Sequence, residues 1–564
     1  MWHRARNSLW PAPMRLTSTR LTPRTCSNFD LCCSTMARPL NLADVLEVMA
    51  DSVPDRLAFV TEHGQSTYSQ LDERSTRLAN HLVAQGVKPG DHIAVHAGNC
   101  VEWAESLYAA MKARAVAINV NFRYVHNELK YIYDNCQAVA AIVGPEYVEA
   151  VRRVNDELGT LKHTLVIGED YEAALAAASS DRLDNGRSGD DHYIVYTGGT
   201  TGMPKGVIWR QEDLLMGALN ELRYRAPIES IEKLGEEAAA NENPLKLMVC
   251  GPLMHGGSQW SMGNAHVGGS VFTLYCGTKF DPEKVLDLTV SSGTNSLALL
   301  GDAMARPVLD ALEANPERWD LSQLFALSNA AAAMSTGTRD QIKRVLPNVF
   351  IRDNYGASES GAAAARMDDG QEREAPRFDV TDDLMVMRPD GTSCEVGEVG
   401  MLARSGWIPL GYLGDPEKTA ATFKVVDGKR WVIPGDFARL EPDGTVSMLG
   451  RGSVCINTGG EKVHPEEVES VLKQHPAVFD AAVAGTAHER WGQQVTALVH
   501  LREGTTADAA ELDRHCRELL AGYKVPKQFF IVDEVPRTPV SKVDYKAVKE
   551  LATTLAGDSE DSHV

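Results

Sequence analysis

Nowhere in the 564 residues does an apolar run approach the ~18 residues that a membrane-spanning helix needs, which excludes a helical transmembrane protein. CxxC pairs are absent as well. The ten cysteines are scattered, which argues against a zinc site and a disulfide framework and fits a reducing, cytoplasmic compartment. There is no basic excess: 56 lysines and arginines face 77 acids, for a net charge of -21. Counterion release over a nucleic-acid backbone needs a basic footprint, so nucleic acid is not an expected partner. A nucleotide held by this chain is a small ligand in a local cradle. No internal repeat and no long low-complexity tract occurs. With 43% hydrophobic and 24% charged residues the composition is that of a globular chain, which excludes wholesale disorder. The length implies more than one domain at roughly 100–200 residues each.

Residues 1–35 stand apart. Arg4, Arg6, Arg15, Arg20 and Arg24 face a single acid, Asp30, and no hydrophobic core of secretory length is present. An organelle transit peptide and an upstream start codon, with the natural chain beginning at Met36, both fit. The second is favoured, because such leaders are best set aside before fold reasoning. Regular text starts just after, where NLADVLEVMADSVPDRLAFV predicts an amphipathic helix running into a strand.

From Met36 to Gly450 strand-like and helix-like stretches alternate. HIAVHAG, AAIVG, HTLVIGE, YIVYTG, LMVCGPL and SLALLGD are short apolar or β-branched runs. VEWAESLYAAMKARA and PEKVLDLTVSS lie among them as helices. The alternation predicts an α/β fold with largely parallel sheets over 36–450, too large for one ordinary core and therefore split into subdomains. Turn-rich segments gather near Gly444–Gly452. Beyond them HPEEVESVLKQH and DAAELDRHCRELL as helices, with FDAAVAG and QQVTALVHLRE as strands, predict a small α+β domain over 454–564.

The chemistry begins at Tyr196. YTGGTTGMPKG (Tyr196–Gly206) follows the apolar run HYIV, where a strand should end, and gathers four glycines, three threonines and a lysine in one loop. Glycines let backbone N–H groups approach an anion, hydroxyls add donors, and Lys205 adds charge. The Walker A pattern is not met, since Gly206 follows Lys205. A plain glycine-rich turn is the bland alternative; threonines packed among the glycines favour phosphate binding.

YTGGTTGMPKG resembles the phosphate loop of the adenylate-forming superfamily of acyl-CoA synthetases, adenylation domains and firefly-type luciferases. NYGASESG (Asn354–Gly361), GYLGDPEKTAATF (Gly411–Phe423), IPGDFARL (Ile433–Leu440), LGRGSVCINTGGEKVHPEEVE (Leu449–Glu469) and PRTPVSKVDY (Pro536–Tyr545) match its other motifs in family order, so the resemblance covers Asn41 to Lys549. NVNFRYVHNEL (Asn119–Leu129), GDAMARP (Gly301–Pro307), LGRGSVCIN and YTGGTTGMPKGVIWR are most similar to actinobacterial ligases that activate steroid side-chain or fatty acids.

That resemblance implies ATP, Mg²⁺ and coenzyme A, and two reactions in one site. In the first, a carboxylate attacks the α-phosphate of ATP. Thr197, Gly198, Gly199, Thr200, Thr201, Gly202 and Lys205 would hold the departing phosphates, with Thr200 and Lys205 catalytic. Asn329, Ala330, Gly356 and Ser358 would complete the nucleotide site. Tyr355 would offer a flat ring to adenine, Glu359 an oxygen ligand to Mg²⁺, and Asp436 acceptors for the ribose hydroxyls. In isolation a Gly-Asp pair is usually a turn, and here Pro434 replaces the family's common threonine before it. Arg451 would reach ribose or phosphate and close the large domain. A hinge over 451–453 would turn on Ser453, where many members carry Asp or Lys; serine can absorb the same φ/ψ change.

Lys542, otherwise an ordinary surface lysine, would stabilise the first transition state. In the second reaction the small domain would rotate, withdraw Lys542 and bring up Cys455–Val463, whose Gly459 and Gly460, with Glu461, leave room for the pantetheine arm. His255 would stand where acyl group and thiol meet, or simply pack. HGGSQWSMGNAHVGG (His255–Gly269) and ALSNAAAAMS (Ala326–Ser335) would line the acyl pocket, their small residues leaving volume for a bulky acid or, alternatively, allowing close helix packing. An acyl-CoA ligase leads. An enzyme loading a carrier-protein phosphopantetheine is the second reading, and a non-catalytic nucleotide-binding protein the third; intact Lys205, Glu359, Asp436, Arg451 and Lys542 count against the third. A homo-oligomer stays open.

Overall fold

The computed structural model describes residues 40–197, 203–223, 225–330, 334–368, 377–451, 454, 456–458, 461–488, 492–520, 522–538 and 543–561, the side chains of 451, 457, 461, 462, 492 and 558–561 excepted. The leader 1–35 lies outside them.

The helix Leu42–Ser52 begins where Asn41 accepts a hydrogen bond from the Ala43 amide at 2.9 Å, the N-cap that an Asn before an apolar-periodic run predicts. The strands Val116–Asn119, His92–His96, Ala140–Val143 and His163–Val166 then form a four-stranded, wholly parallel sheet. Helices Val101–Lys112, His126–Cys136 and Val148–Leu158 are its crossovers.

A larger sheet of eight strands runs Gly361–Met367, Phe350–Ala357, Ala326–Asn329, Ser296–Leu299, Lys246–Val249, Val271–Leu274, Leu57–Thr61, Gly64–Thr67. Its interior pairs are parallel and only the pair at each edge is antiparallel. Ala140–Val143 and Val271–Leu274 are buried at every position, as strands covered on both faces must be. The strand ends that carry Asn119 and Asn329 are carboxyl ends, where open α/β sheets bind ligands.

The largely parallel pairing expected as far as Gly450 holds upstream and does not extend over 377–451. There a seven-stranded sheet is antiparallel throughout. No helix long enough for a crossover separates most of its strands, so hairpins join them. Asp427 and Gly428, both with positive φ, make the two-residue turn between Phe423–Val426 and Lys429–Val432. The stretch read as turns at Gly444–Gly452 holds one turn at Gly444, and the strand Thr445–Arg451 follows it.

Past residue 451 a separate, five-stranded sheet contains Ile456–Thr458, Glu461–Val463, Val478–His488, Gly492–Leu501 and Gln528–Ile531. Helices Pro465–Leu472, Ala509–Leu519 and Tyr545–Asp561 accompany it. It has its own core, with Val463, Val468, Leu472, Val483 and Leu512 among its buried members. The fold is thus a large α/β domain and a smaller α+β one. Among the described residues no helix is long and apolar enough to cross a membrane.

Candidate active site

The antiparallel pair His192–Thr197 and Lys205–Arg210 sets Thr197 opposite Lys205, at the two ends of the segment expected to hold phosphate. Gly198, Gly199, Thr200, Thr201 and Gly202 lie outside the described residues. Asn119 fixes the first arm. Its amide accepts from Tyr196 N at 2.7 Å and donates to Tyr196 O at 2.9 Å and to Met254 O at 2.6 Å. One buried side chain therefore ties the phosphate-loop strand to the segment that leads into His255.

Lys205 is held from the far side. Its ammonium pairs with Asp415 at 2.6 Å and sits 5.7 Å from the centre of the Tyr412 ring. The Tyr412 hydroxyl donates to Glu359 Oε1 at 2.9 Å. The lysine's hydrogen bond holds the Asp415 carboxyl below the usual carboxylate range. Asp415 also N-caps the helix Pro416–Thr422, accepting from Lys418 N at 2.9 Å. Phosphate-loop cation and Glu359 are thus linked through Tyr412.

The turn carrying Glu359 joins the strands Phe350–Ala357 and Gly361–Met367, and it is pinned on both flanks. Trp209 Nε1 donates to Ser358 O at 3.1 Å. Arg404, 2% exposed, donates to Ser360 O and, at 2.9 Å, to Gly217 O. Gly356 has to be glycine, since a Cβ there would stand 2.4 Å from Gly361 O. One residue earlier, the Tyr355 hydroxyl donates to Asp436 Oδ2 at 2.7 Å. Asp436 pairs in register with Arg451, the last residue of its strand, whose side chain is outside the description.

Asn329 is buried and its amide is committed to neighbouring elements: Oδ1 accepts from N of Gly301, the N-cap of the helix Asp302–Ala314, at 3.0 Å, and Nδ2 donates to Asp353 Oδ1 at 2.9 Å. Ala330 follows, half-buried. His255, half-buried, precedes the helix Gly256–Val267. A Cβ on Gly256 would lie 3.1 Å from Val195 and 3.7 Å from Ser358 Oγ, so this helix starts against both the phosphate-loop strand and the Glu359 turn. The pocket expectation for His255–Gly269 is corrected in part. Most of the helix is core, and a Cβ at Gly263 would meet Leu219 at 2.9 Å, whereas Gly257 alone is exposed with open space around it.

Ser453, Gly459, Gly460 and Lys542 lie outside the described residues, and Glu461 is described by its backbone alone, in the strand Glu461–Val463. At the foot of that hairpin the His464 ring is 6.1 Å from Phe437, the neighbour of Asp436.

The sequence alone assigns no role to Tyr412, Asp415, Asn119, Trp209 or Arg404. The motif GYLGDPEKTAATF contains the first two, and Asp-Pro-Glu is a readable helix start. Their bonds to Lys205 and Glu359 are not readable, because those partners are remote in the chain.

A family model described as AMP-binding enzyme matches residues 46–413, and one described as AMP-binding enzyme C-terminal domain matches 467–542. The chain is 43% identical to a 3-oxocholest-4-en-26-oate–CoA ligase of Rhodococcus rhodochrous, over 91% of this chain and 96% of that protein. It is 42% identical to a medium/long-chain-fatty-acid–CoA/3-oxocholest-4-en-26-oate–CoA ligase of Mycolicibacterium smegmatis, over 92% and 98%. Among solved structures, ATP-bound MatB from Rhodopseudomonas palustris superposes with a TM-score of 0.78 at 26% identity, covering 92% of this chain and all (100%) of that one. An anthranilate CoA ligase in complex with anthranoyl-AMP shares the fold, with a TM-score of 0.81 at 23% identity over 93% of this chain and 99% of that one. The chain belongs to the AMP-binding enzyme family, among its ATP-dependent acyl-CoA ligases.

Proposed function

We propose that the acid activated is bulky and apolar, a steroid side-chain acid or a medium- to long-chain fatty acid. The enzyme joins a carboxylic acid to ATP, giving acyl-AMP and pyrophosphate, and then moves the acyl group to coenzyme A. What supports the acid class is the likeness to ligases named for steroid and fatty acids over nine-tenths of the chain, with the open flank at Gly257.

The residue roles belong to the same proposal, supported by the motifs and by the geometry of the described residues among them. Lys205, oriented by Asp415, neutralises the phosphates released as pyrophosphate, together with Thr197 and the loop Gly198–Gly202. Asp436 exchanges the Tyr355 hydroxyl for ribose hydroxyls, and the Tyr355 ring, with Gly356 and Ser358 beside it, faces adenine. Asn329 and Ala330 shape the floor of that site, and Arg451 contacts ribose or phosphate. Glu359 is an anchored oxygen donor, the type of ligand a hard cation takes, and fits Mg²⁺. When bound, that ion supplies charge neutralisation on the phosphates. Lys542 acts in adenylation. Gly459, Gly460 and Glu461 act in thiol transfer, beside His255. The small domain (454–564) turns on a hinge at 451–453, centred on Ser453, relative to the large one (36–450).

The observation that carries this reading is the convergence of Lys205, Glu359, Tyr355 and Asp436 through Tyr412 and through a direct hydrogen bond. The test is AMP formation across steroid, long-chain, medium-chain, aryl and acetate substrates, with and without coenzyme A. Highest kcat/KM for steroid or longer fatty acids, with steady turnover only when coenzyme A is present, is expected. Preference for benzoate or acetate overturns the acid class. Turnover that needs a carrier protein in place of coenzyme A overturns the acceptor.

A further inference from the structure

Arg306, on the helix Asp302–Ala314 of the large domain, is 2% exposed and spends its guanidinium across the domain boundary. A guanidinium has five N–H donors in a fixed fork. Here Nε donates to Thr338 Oγ1 at 3.0 Å. Nη1 donates to Val478 O at 2.8 Å and also to Phe479 O. Nη2 donates to Lys473 O at 3.0 Å and to Ser335 Oγ at 3.3 Å. Three of the five acceptors are backbone carbonyls of the small domain. Lys473 is the C-cap of the helix Pro465–Leu472, the end at which the helix dipole favours a cation. At the rim, Arg502 of the small domain stands 3.9 Å from Asp310 of the same large-domain helix.

We propose that Arg306 is the positioning residue that seats the small domain on the large one, and that this seat serves adenylation, the half-reaction assigned above to Lys542. The connection from the seat as far as Val543 is short. Asp480, next to Phe479, accepts from Arg537 Nε at 3.0 Å and lies 3.2 Å from Lys473 Nζ. Arg537 in turn pairs with Val543, the neighbour of Lys542, in an isolated β-bridge. A fork that grips carbonyls at Lys473, Val478 and Phe479 therefore grips the scaffold to which Asp480, Arg537 and Val543 belong. Because the acceptors are backbone groups, the grip reads small-domain position and is indifferent to its side chains. Any rotation of the small domain has to withdraw all three carbonyls together, which makes the seat all-or-none. No other side chain can reproduce it: lysine would keep the charge but lose the fork.

The kinetic part rests on the two-orientation reading above; the seating itself does not. The test places fluorophores, through non-canonical residues, at exposed Glu146 of the large domain and exposed Glu518 of the small one and records their distance distribution in the full chain. Arg306→Ala is expected to broaden a single population. It is also expected to slow acid-dependent ATP–pyrophosphate exchange by about 10- to 100-fold through misplacement of Lys542, while conversion of supplied acyl-AMP and coenzyme A stays nearly unchanged. Arg306→Lys should fall between. Arg502→Glu, a surface change that cannot unfold the core, should broaden the distribution in the same sense by less, and serves if the alanine variant does not fold. An unchanged distribution in the folded variants overturns the seat. A broadened distribution with both half-reactions slowed equally keeps the seat and overturns the two-orientation reading.

Discussion

The Tyr355 hydroxyl donates a hydrogen bond to Asp436 across 81 positions of sequence, at 2.7 Å. The pair stands where the strand Phe350–Ala357 of the parallel-sheet body meets the strand Asp436–Leu440 of the antiparallel sheet. It is the seam along which the proposed nucleotide site is assembled. The two residues are predicted to separate on substitution. Tyr355→Phe removes a hydrogen bond to a charged acceptor and should cost about 1.5–3 kcal/mol of stability, with a small change in KM for ATP. Asp436→Ala should raise KM for ATP by about 10- to 100-fold, the worth of the same class of bond made to ribose, leaving KM for the acid unmoved. Equal effects of both substitutions on ATP would remove the ribose role from Asp436. Urea melts and ATP titrations measure the two quantities.

Two glycines of one helix are predicted to behave oppositely. Gly263→Ala puts a Cβ 2.9 Å from Leu219 and should lose about 1–3 kcal/mol to overpacking, with an unchanged order of acid preference. Gly257→Leu enters open space, so stability should hold while preference moves toward smaller acids. A chain-length series of kcat/KM, beside a thermal melt, decides. A Gly257→Leu enzyme with the parental preference would place the pocket elsewhere.

Much of this was legible before the structure. The apolar runs at His92, Ala140, Leu247 and Ser296 read as strands of a parallel sheet because strands covered on both faces need no polar alternation. Tyr355, Glu359, Asp436 and Lys205 were legible one at a time, from motifs. Their relations were not. Lys205 and Asp415 are 210 positions apart, and nothing in either local pattern points to the other. Arg404, in MLARSG, has no local sign of burial, yet it is 2% exposed because three separate segments supply its acceptors, Ser360 O, Gly217 O and Asp383. The antiparallel sheet was missed for a related reason. Alternation of strand-like and helix-like text had been established upstream, and pairing is set by turn geometry at places such as Asp427-Gly428, which a scan for apolar runs does not weigh.

A pH effect follows from the core. His266 is buried, with Tyr108 Oη 2.7 Å from Nδ1 and Ala58 O 3.1 Å from Nε2. Burial pushes its imidazole down to about 4. The folded value lies below the ~6.5 of an unfolded histidine. The unfolded chain therefore binds the extra proton, and the stabilisation is fully present above pH ~6.5 and lost as pH falls toward about 4, by up to about 3 kcal/mol. His266→Gln should be less stable at pH 7 but lack this slope. Unfolding free energies of both proteins across that window should converge on acidification; parallel curves would mean that His266 does not titrate there.

The most direct measurement separates the half-reactions in Lys542→Ala. The lysine is proposed to act only where charge builds between carboxylate and α-phosphate. Its loss should slow pyrophosphate release by ~10²–10³, the effect of removing one preorganised donor. The same variant, given synthetic acyl-AMP and coenzyme A, should still make acyl-CoA at close to the parental rate. Gly459→Leu should show the converse, because its side chain would obstruct the pantetheine path and leave adenylation working. Lys542→Ala slowing both half-reactions by the same factor would contradict a site that uses its two domains in two orientations.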